Sequence, residues 1–149
     1  MLETTLPTGL LTSAEIIATK KPEIAHNAHE FHLEHGRNPK LLIIPGDTLH
    51  DGSKRYMRTK KRTGSEVCVD VSVAGENEQQ DTIGAVKPLE LSKILYLIDE
   101  ANEDPTIDGI MIQLPLESRH KEAESYLLER ILPEKDVDGL GRQSPYLTA

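Results

Sequence analysis

Leu41-Leu42-Ile43-Ile44 is a wholly apolar run, closed by Pro39 on one side and Pro45-Gly46 on the other. A run so short and so apolar reads as a strand buried on both faces. Ile110-Met111-Ile112, between Gly109 and Pro115, repeats the pattern. Between the two, Val67, Val69, Val71 and Val73 alternate with Cys68, Asp70 and Ser72, which predicts a strand with one polar face. Helical patterns separate these strands. Thr12-Ser13-Ala14-Glu15 is a capping-box start, and Ala14, Ile17, Ile24, Ala28 and Phe31 share a stripe. Pro22 predicts a kink or two successive helices, and Gly36 a stop. A second helix runs from Ser53 to about Thr63, ended by Gly64. A third opens near Pro88, with Leu91, Ile94, Leu95, Ile98 and Ala101 inward. A fourth runs from about Ser118 to Leu132, with Ala123, Leu127 and Ile131 inward. The alternation predicts an α/β fold in three layers, α/β/α, around a mostly parallel sheet. In such sheets ligands gather at the carboxyl ends of the strands: Pro45-Gly46-Asp47, the acidic surface loop from Gly75 to Asp81, and Gln113-Leu114-Pro115-Leu116.

The chain has 149 residues, enough for one domain with its own core, and a net charge of −8. That charge argues against coating nucleic acid or an anionic membrane. One Phe, four Tyr and no Trp argue against a base-stacking platform. A single cysteine, Cys68, has no internal disulfide partner, and its place in an apolar run predicts a buried structural thiol. No stretch approaches the length of a membrane span, and the N-terminus lacks a secretory pattern, so a cytoplasmic protein is expected.

Against this acidic background, Ser53 to Arg62 holds six basic residues and no acidic one. Charge alone suggests a solvated helix face. Spacing adds that Ser53, Tyr56 and Lys60 fall within about 60° of one another on the helical wheel. A lysine beside a tyrosine, facing a cleft, can polarise a substrate or move a proton if burial lowers its pKa. Gln113, ending a strand, can orient a lysine, hydrogen-bond a heterocycle or simply meet water. Pro133-Glu134-Lys135-Asp136-Val137-Asp138-Gly139 reads as a surface turn, or as a turn whose Asp138 accepts N–H groups of a ring. His26, His29, His32 and His35 recur every third residue. Successive 300° steps spread them around a helix, so they do not converge on one metal ion. No G-x-G-x-x-G, G-x-S-x-G or phosphate-binding P-loop occurs.

Ser53-x-x-Tyr56-x-x-x-Lys60, Asn102-x-Asp104-Pro105-x-x-x-Gly109-Ile110-x-x-Gln113-Leu114-Pro115-Leu116 and Pro133-Glu134-Lys135-Asp136-Val137-Asp138-Gly139 follow one another in order. Together they resemble the N-terminal catalytic domain of bifunctional methylenetetrahydrofolate dehydrogenase/methenyltetrahydrofolate cyclohydrolase. The resemblance runs from about Leu10 to Gly139. It implies that Lys60 is the catalytic lysine acting on the one-carbon bridge of the folate, with Gln113 tuning it. It implies that Tyr56 packs against the folate rings and that Asp138 holds the pterin-like ring. Ser53, Leu114 and Pro115 match the site lining. The basic helix would attract the carboxylates of a glutamate tail.

The resemblance also implies NADP as cofactor, bound by a Rossmann-type domain absent from this chain, and a homodimer formed elsewhere in the parent. Residues 1–139 are then the folate-binding catalytic domain, and 140–149 the start of a linker. A non-catalytic module that binds folate or a partner subunit is the alternative. The chain departs from the family in several places. Two extra residues lie between Gly46 and Tyr56. Cys68 stands where Gly is usual, and Glu117 where Pro is common. The loop from Gly75 to Lys87 is long, and Ser144-Pro145-Tyr146 alters the linker.

Overall fold

The computed structural model describes residues 13–76 and 86–141. Seven main elements follow in order: α1 (Ser13–His35), β1 (Lys40–Pro45), α2 (Asp51–Glu66), β2 (Asp70–Val73), α3 (Leu91–Glu103), β3 (Gly109–Gln113) and α4 (Glu124–Arg130). A 3-10 turn, Ser118–Ala123, leads into α4, and another, Pro133–Lys135, follows it. The strands form one parallel sheet in the order β2-β1-β3. β1 sits in the middle, so the most apolar run of the chain occupies the place shielded from both edges.

Register sorts the side chains. Leu41 pairs with Gly109, Ile43 with Met111 and Pro45 with Gln113. Because strand side chains alternate, these positions share one face. On that face Ile43, Met111 and Val73 pack against Met57 of α2. On the other, Ile44, Ile110 and Ile112 meet Ile94, Ile98 and Ala101 of α3, with Leu127 and Ile131 from α4 and its end. The expected three layers are present, α2 on one side and α3 with α4 on the other.

Hydrogen bonds away from the carboxyl ends of the strands brace these elements. Asn102 donates to Arg130 O at 2.9 Å and accepts from Leu132 N at 3.0 Å, tying α3 to the end of α4. Asp104 Oδ1 accepts from both the N–H and the hydroxyl of Thr106 and shapes the turn before β3. Arg37 forks onto both oxygens of Asp108, which also takes the Lys40 N–H, and so fixes the amino ends of β1 and β3.

Several expectations need correction. α1 is one helix through Pro22. Pro22 is exposed, so the Ala18 carbonyl that loses its helical donor lies on a solvated surface. Of the expected α1 stripe only Ala28 is buried. Ile17 is 52% and Ile24 45% exposed, because no described element covers that face. The Thr12 end of the capping box lies outside the described residues. Gly64 does not end α2. It is buried inside the helix, against the Val71 side chain and the Val69 carbonyl. β2 begins only at Asp70, so Val67 and Cys68 belong to the connecting turn. Cys68 is therefore exposed, not buried, with φ of 60°. Its left-handed backbone turns it out of the alternation. Pro88 precedes α3, which starts at Leu91. Glu76 is half-buried, with its side chain 1% exposed and paired with Lys61. Most of the rest of that expected loop lies outside the described residues.

Candidate functional site

The loops after β1 and β3 are zipped together. Gly46 N donates to Gln113 O at 3.1 Å, and Asp47 N to Pro115 O at 2.7 Å. A Cβ at Gly46 would stand 2.4 Å from Pro115 O and 2.6 Å from Gln113 O, so only glycine allows this approach. The Leu114–Pro115 peptide bond is cis. α2 then starts beside the joined loops. His50 caps it, its Nδ1 accepting from Ser53 N at 3.0 Å. Ser53, 1% exposed, donates from Oγ to Leu114 O at 3.3 Å and ties the helix to the β3 loop.

From that anchor α2 runs back along the sheet, and Lys60 arrives two turns later. Gln113 projects from the same sheet face as Met111, toward α2. Lys60 Nζ donates to Gln113 Oε1 at 2.7 Å. Gln113 is 7% exposed, and its Nε2 donates to Leu114 O at 3.3 Å. That second bond fixes the amide so that its oxygen, not its nitrogen, faces the lysine. Burial pushes the Lys60 pKa below the ordinary lysine value, and the nearby Asp138 carboxylate works against that shift. Asp138 is pushed up, first by desolvation of its carboxyl, with Asp136 adding to the rise and Lys60 opposing it. The residue as a whole is exposed, so its carboxyl is desolvated while the rest faces solvent.

The structure thus brings Lys60, Gln113 and Asp138 together, with Ser53 holding the frame. Tyr56 and Pro115 stand on the exposed rim, Tyr56 at 62% exposure. Leu114 meets the site through its carbonyl, while its side chain packs on the core of α3 and α4. The turn from Pro133 to Gly139 splits its labour. Lys135 Nζ donates to Ala101 O and Asp104 O, both at 2.8 Å, and so caps the carboxyl end of α3. Of that motif, Asp138 is the residue placed near Lys60.

Sequence reasoning missed His50 and Asp136. His50 lies at i−3 from Ser53, the spacing of a side-chain cap, but histidine is a rare cap and gives little warning. Asp136 accepts from Gly139 N at 3.1 Å and Gly141 N at 3.0 Å. An Asp followed by glycines at i+3 and i+5 was the available signal.

Residues 11–138 match the family described as tetrahydrofolate dehydrogenase/cyclohydrolase, catalytic domain. The bifunctional protein FolD of Syntrophobacter fumaroxidans is 35% identical over 130 residues, 87% of this chain and 40% of that protein. The crystal structure of the FolD methylenetetrahydrofolate dehydrogenase/cyclohydrolase from Campylobacter jejuni superposes with a TM-score of 0.69 at 26% identity. It covers 85% of this chain and 40% of that one. The bifunctional enzyme from Thermoplasma acidophilum gives a TM-score of 0.62 at 30% identity, over 89% and 42% of the two chains. The chain spans about two-fifths of the length of these relatives. It belongs to the tetrahydrofolate dehydrogenase/cyclohydrolase family, as a match to its catalytic domain.

Proposed function

We propose that this chain is the folate-binding catalytic domain of an enzyme that oxidises 5,10-methylenetetrahydrofolate and hydrolyses 5,10-methenyltetrahydrofolate to 10-formyltetrahydrofolate. The observation that carries this is the Lys60–Gln113 hydrogen bond of 2.7 Å, set beside Asp138 at the carboxyl ends of the strands. Residues 1–139 form that domain, and 140–149 begin the link to another. The parent works in the cytoplasm as a homodimer joined outside this chain.

The residues here do not suit a dinucleotide. No G-x-G-x-x-G follows a strand, so the phosphates of NADP find no glycine cradle. Hydride transfer therefore needs NADP held by another domain. Hydrolysis does not. Water adds to the bridge carbon, forming a C–O bond and releasing a proton. The bond from that carbon to N5 breaks as its hydroxyl becomes the formyl carbonyl; N5 takes a proton, and the hydroxyl proton leaves to solvent, so one proton is released overall. Lys60, with its pKa lowered by burial, accepts the first proton and returns it to N5. Gln113 holds the amine in place throughout. Asp138 takes N–H groups of the pterin-like ring, and Tyr56 covers the ring from the rim. The basic surface of α2 attracts the carboxylates of the glutamate tail.

Two measurements test this. Calorimetric titration with a stable 5,10-bridged tetrahydrofolate analogue should show saturable binding that Asp138→Ala loses. Hydrolysis of the 5,10-methenyl compound should fall by roughly 10²–10⁴-fold in Lys60→Met, as for loss of an acid–base group. Intact binding with no turnover, even beside a cofactor domain supplied in trans, would instead make the chain a non-catalytic folate-binding module. A folded chain that does not bind the analogue would overturn the reading.

A further inference from the structure

We propose that Asp136 is a positioning residue whose buried carboxylate clamps the turn that sets Asp138 opposite Lys60. This rests on the folate-site reading above.

Asp136 is 3% exposed. A carboxylate in such a place is costly unless its oxygens are satisfied. Here both are, by main-chain donors of the same turn. Oδ1 accepts from Gly139 N at 3.1 Å, and Oδ2 from Gly141 N at 3.0 Å. The other side of Asp136 is tied to the body of the domain. Its N–H donates to Pro133 O at 3.3 Å. It also forms an isolated parallel bridge with Ile110 of β3. Lys135, next in the chain, is held at the end of α3. The main chain is thus fixed at 135–136 by the core and at 139 and 141 by the Asp136 carboxylate. Asp138 lies inside that loop, one residue before the first clamped N–H.

The clamp is tight. A Cβ at Gly141 would stand 3.1 Å from Asp136 Oδ2 and 3.2 Å from Leu128 O. The chemistry of the clamp is specific to a carboxylate. It offers an acceptor on each side, whereas an asparagine must turn its NH₂ toward one of the two N–H donors. Asp136 is buried, and both of its carboxylate oxygens are taken by main-chain N–H groups. Its effect on substrate therefore passes through Asp138.

A double-mutant cycle with the stable 5,10-bridged tetrahydrofolate analogue tests this, with thermal melts alongside. Asp136→Asn should weaken binding roughly tenfold in the native background, the scale expected for losing a hydrogen bond to a charged group. In an Asp138→Asn background the same change should alter affinity less than about twofold. Unchanged affinity in Asp136→Asn alone overturns the proposal. So does equal weakening in both backgrounds, which would mark a general loss of stability. If Asp136→Asn does not fold, Gly141→Ala presses on the same oxygen from the other side and takes its place in the cycle.

Should the native chain bind no analogue, the folate reading fails, but the clamp can still be read without ligand. Titration of the Lys60 ammonium by NMR reports whether Asp138 is near it. Asp138→Asn should lower the Lys60 titration point in the native chain. It should lower it much less once Asp136→Asn is in place. Equal lowering in both overturns the clamp.

Discussion

On one face of the sheet, Ile44, Ile110 and Ile112 meet Ile94, Ile98, Leu127 and Ile131 from α3, α4 and its end. On the other, Ile43, Met111 and Val73 meet Met57 of α2. The first, deep face carries the larger apolar cluster. The second is thin, and its buried residues include Ser53 and Gln113, with Lys60 arriving between them. The difference follows from the helices. The α3 face carries Ile94, Ile98 and Ala101 at helical spacing, whereas α2 offers Met57 and, around it, a serine, a lysine and a glycine. A sheet covered on both sides by apolar helices would be more stable and would have no place for a half-buried amine. The deep face supplies stability, and the thin face uses some of it to hold polar groups in a fixed arrangement.

Truncating the deep face should give the largest loss of stability. Leu127 is 0% exposed, and Leu127→Ala should cost about 3 kcal/mol by lost transfer energy and the cavity left behind. Urea denaturation checks this. Affinity for the folate analogue under native conditions should stay within about twofold, since the two faces couple only through the sheet. Met57→Ala should cost less, about 2 kcal/mol, yet weaken analogue binding, because Met57 seats the helix that carries Lys60. If Leu127→Ala weakened binding as much as Met57→Ala, the division between the faces would be wrong.

The next effect lies at the start of α2. His50 Nδ1 takes the Ser53 N–H, and Ser53 Oγ reaches the Leu114 carbonyl. His50→Ala should cost about 1 kcal/mol of stability through loss of the cap. His50→Asp, a stronger cap beside a helix amino end, should restore it. Thermal melts of the three proteins decide this. If His50→Ala were neutral, the His50 cap would be an ornament rather than part of the frame.

These contrasts also mark what the sequence reveals and what it hides. The two apolar runs, the parallel sheet and the deep face are legible because burial on both sides of a strand leaves a plain composition signature. Lys60 and Gln113 are legible as candidates, and strand parity with Met111 explains why they meet. Other features depend on a partner or a backbone angle that no local pattern records. The α1 stripe announces a helix but not what covers Ile17 and Ile24. Cys68 looks buried because it lies in an apolar run, until its φ of 60° places it in an exposed turn before the strand. Gly64 looks like a stop but sits where Val71 leaves no room for a larger residue. The Asp136 clamp requires knowing that Gly139 and Gly141 fold back over one carboxylate.

The smallest effect expected is the most direct reading of the thin face. Burial holds the Lys60 pKa below its ordinary value, about 10.4 in an unfolded chain. As pH rises toward that value, the folded state loses the Lys60 proton first, while the unfolded state still binds it. Stability therefore rises with pH across that interval. Lys60→Met has no such proton to lose, so the stability of the native chain relative to this variant should climb on the alkaline side. Lys60 is only part-buried, so the climb is modest, and it is best read as the difference between paired urea titrations at several pH values. The same shift should govern hydrolysis, whose rate should fall in acid as Lys60 is protonated. Asp138 raises the Lys60 pKa, so Asp138→Asn should move that acid limb to lower pH even where it weakens binding. An acid limb unmoved by Asp138→Asn would mean that Lys60 does not carry the proton, and that the thin face is held polar for binding alone.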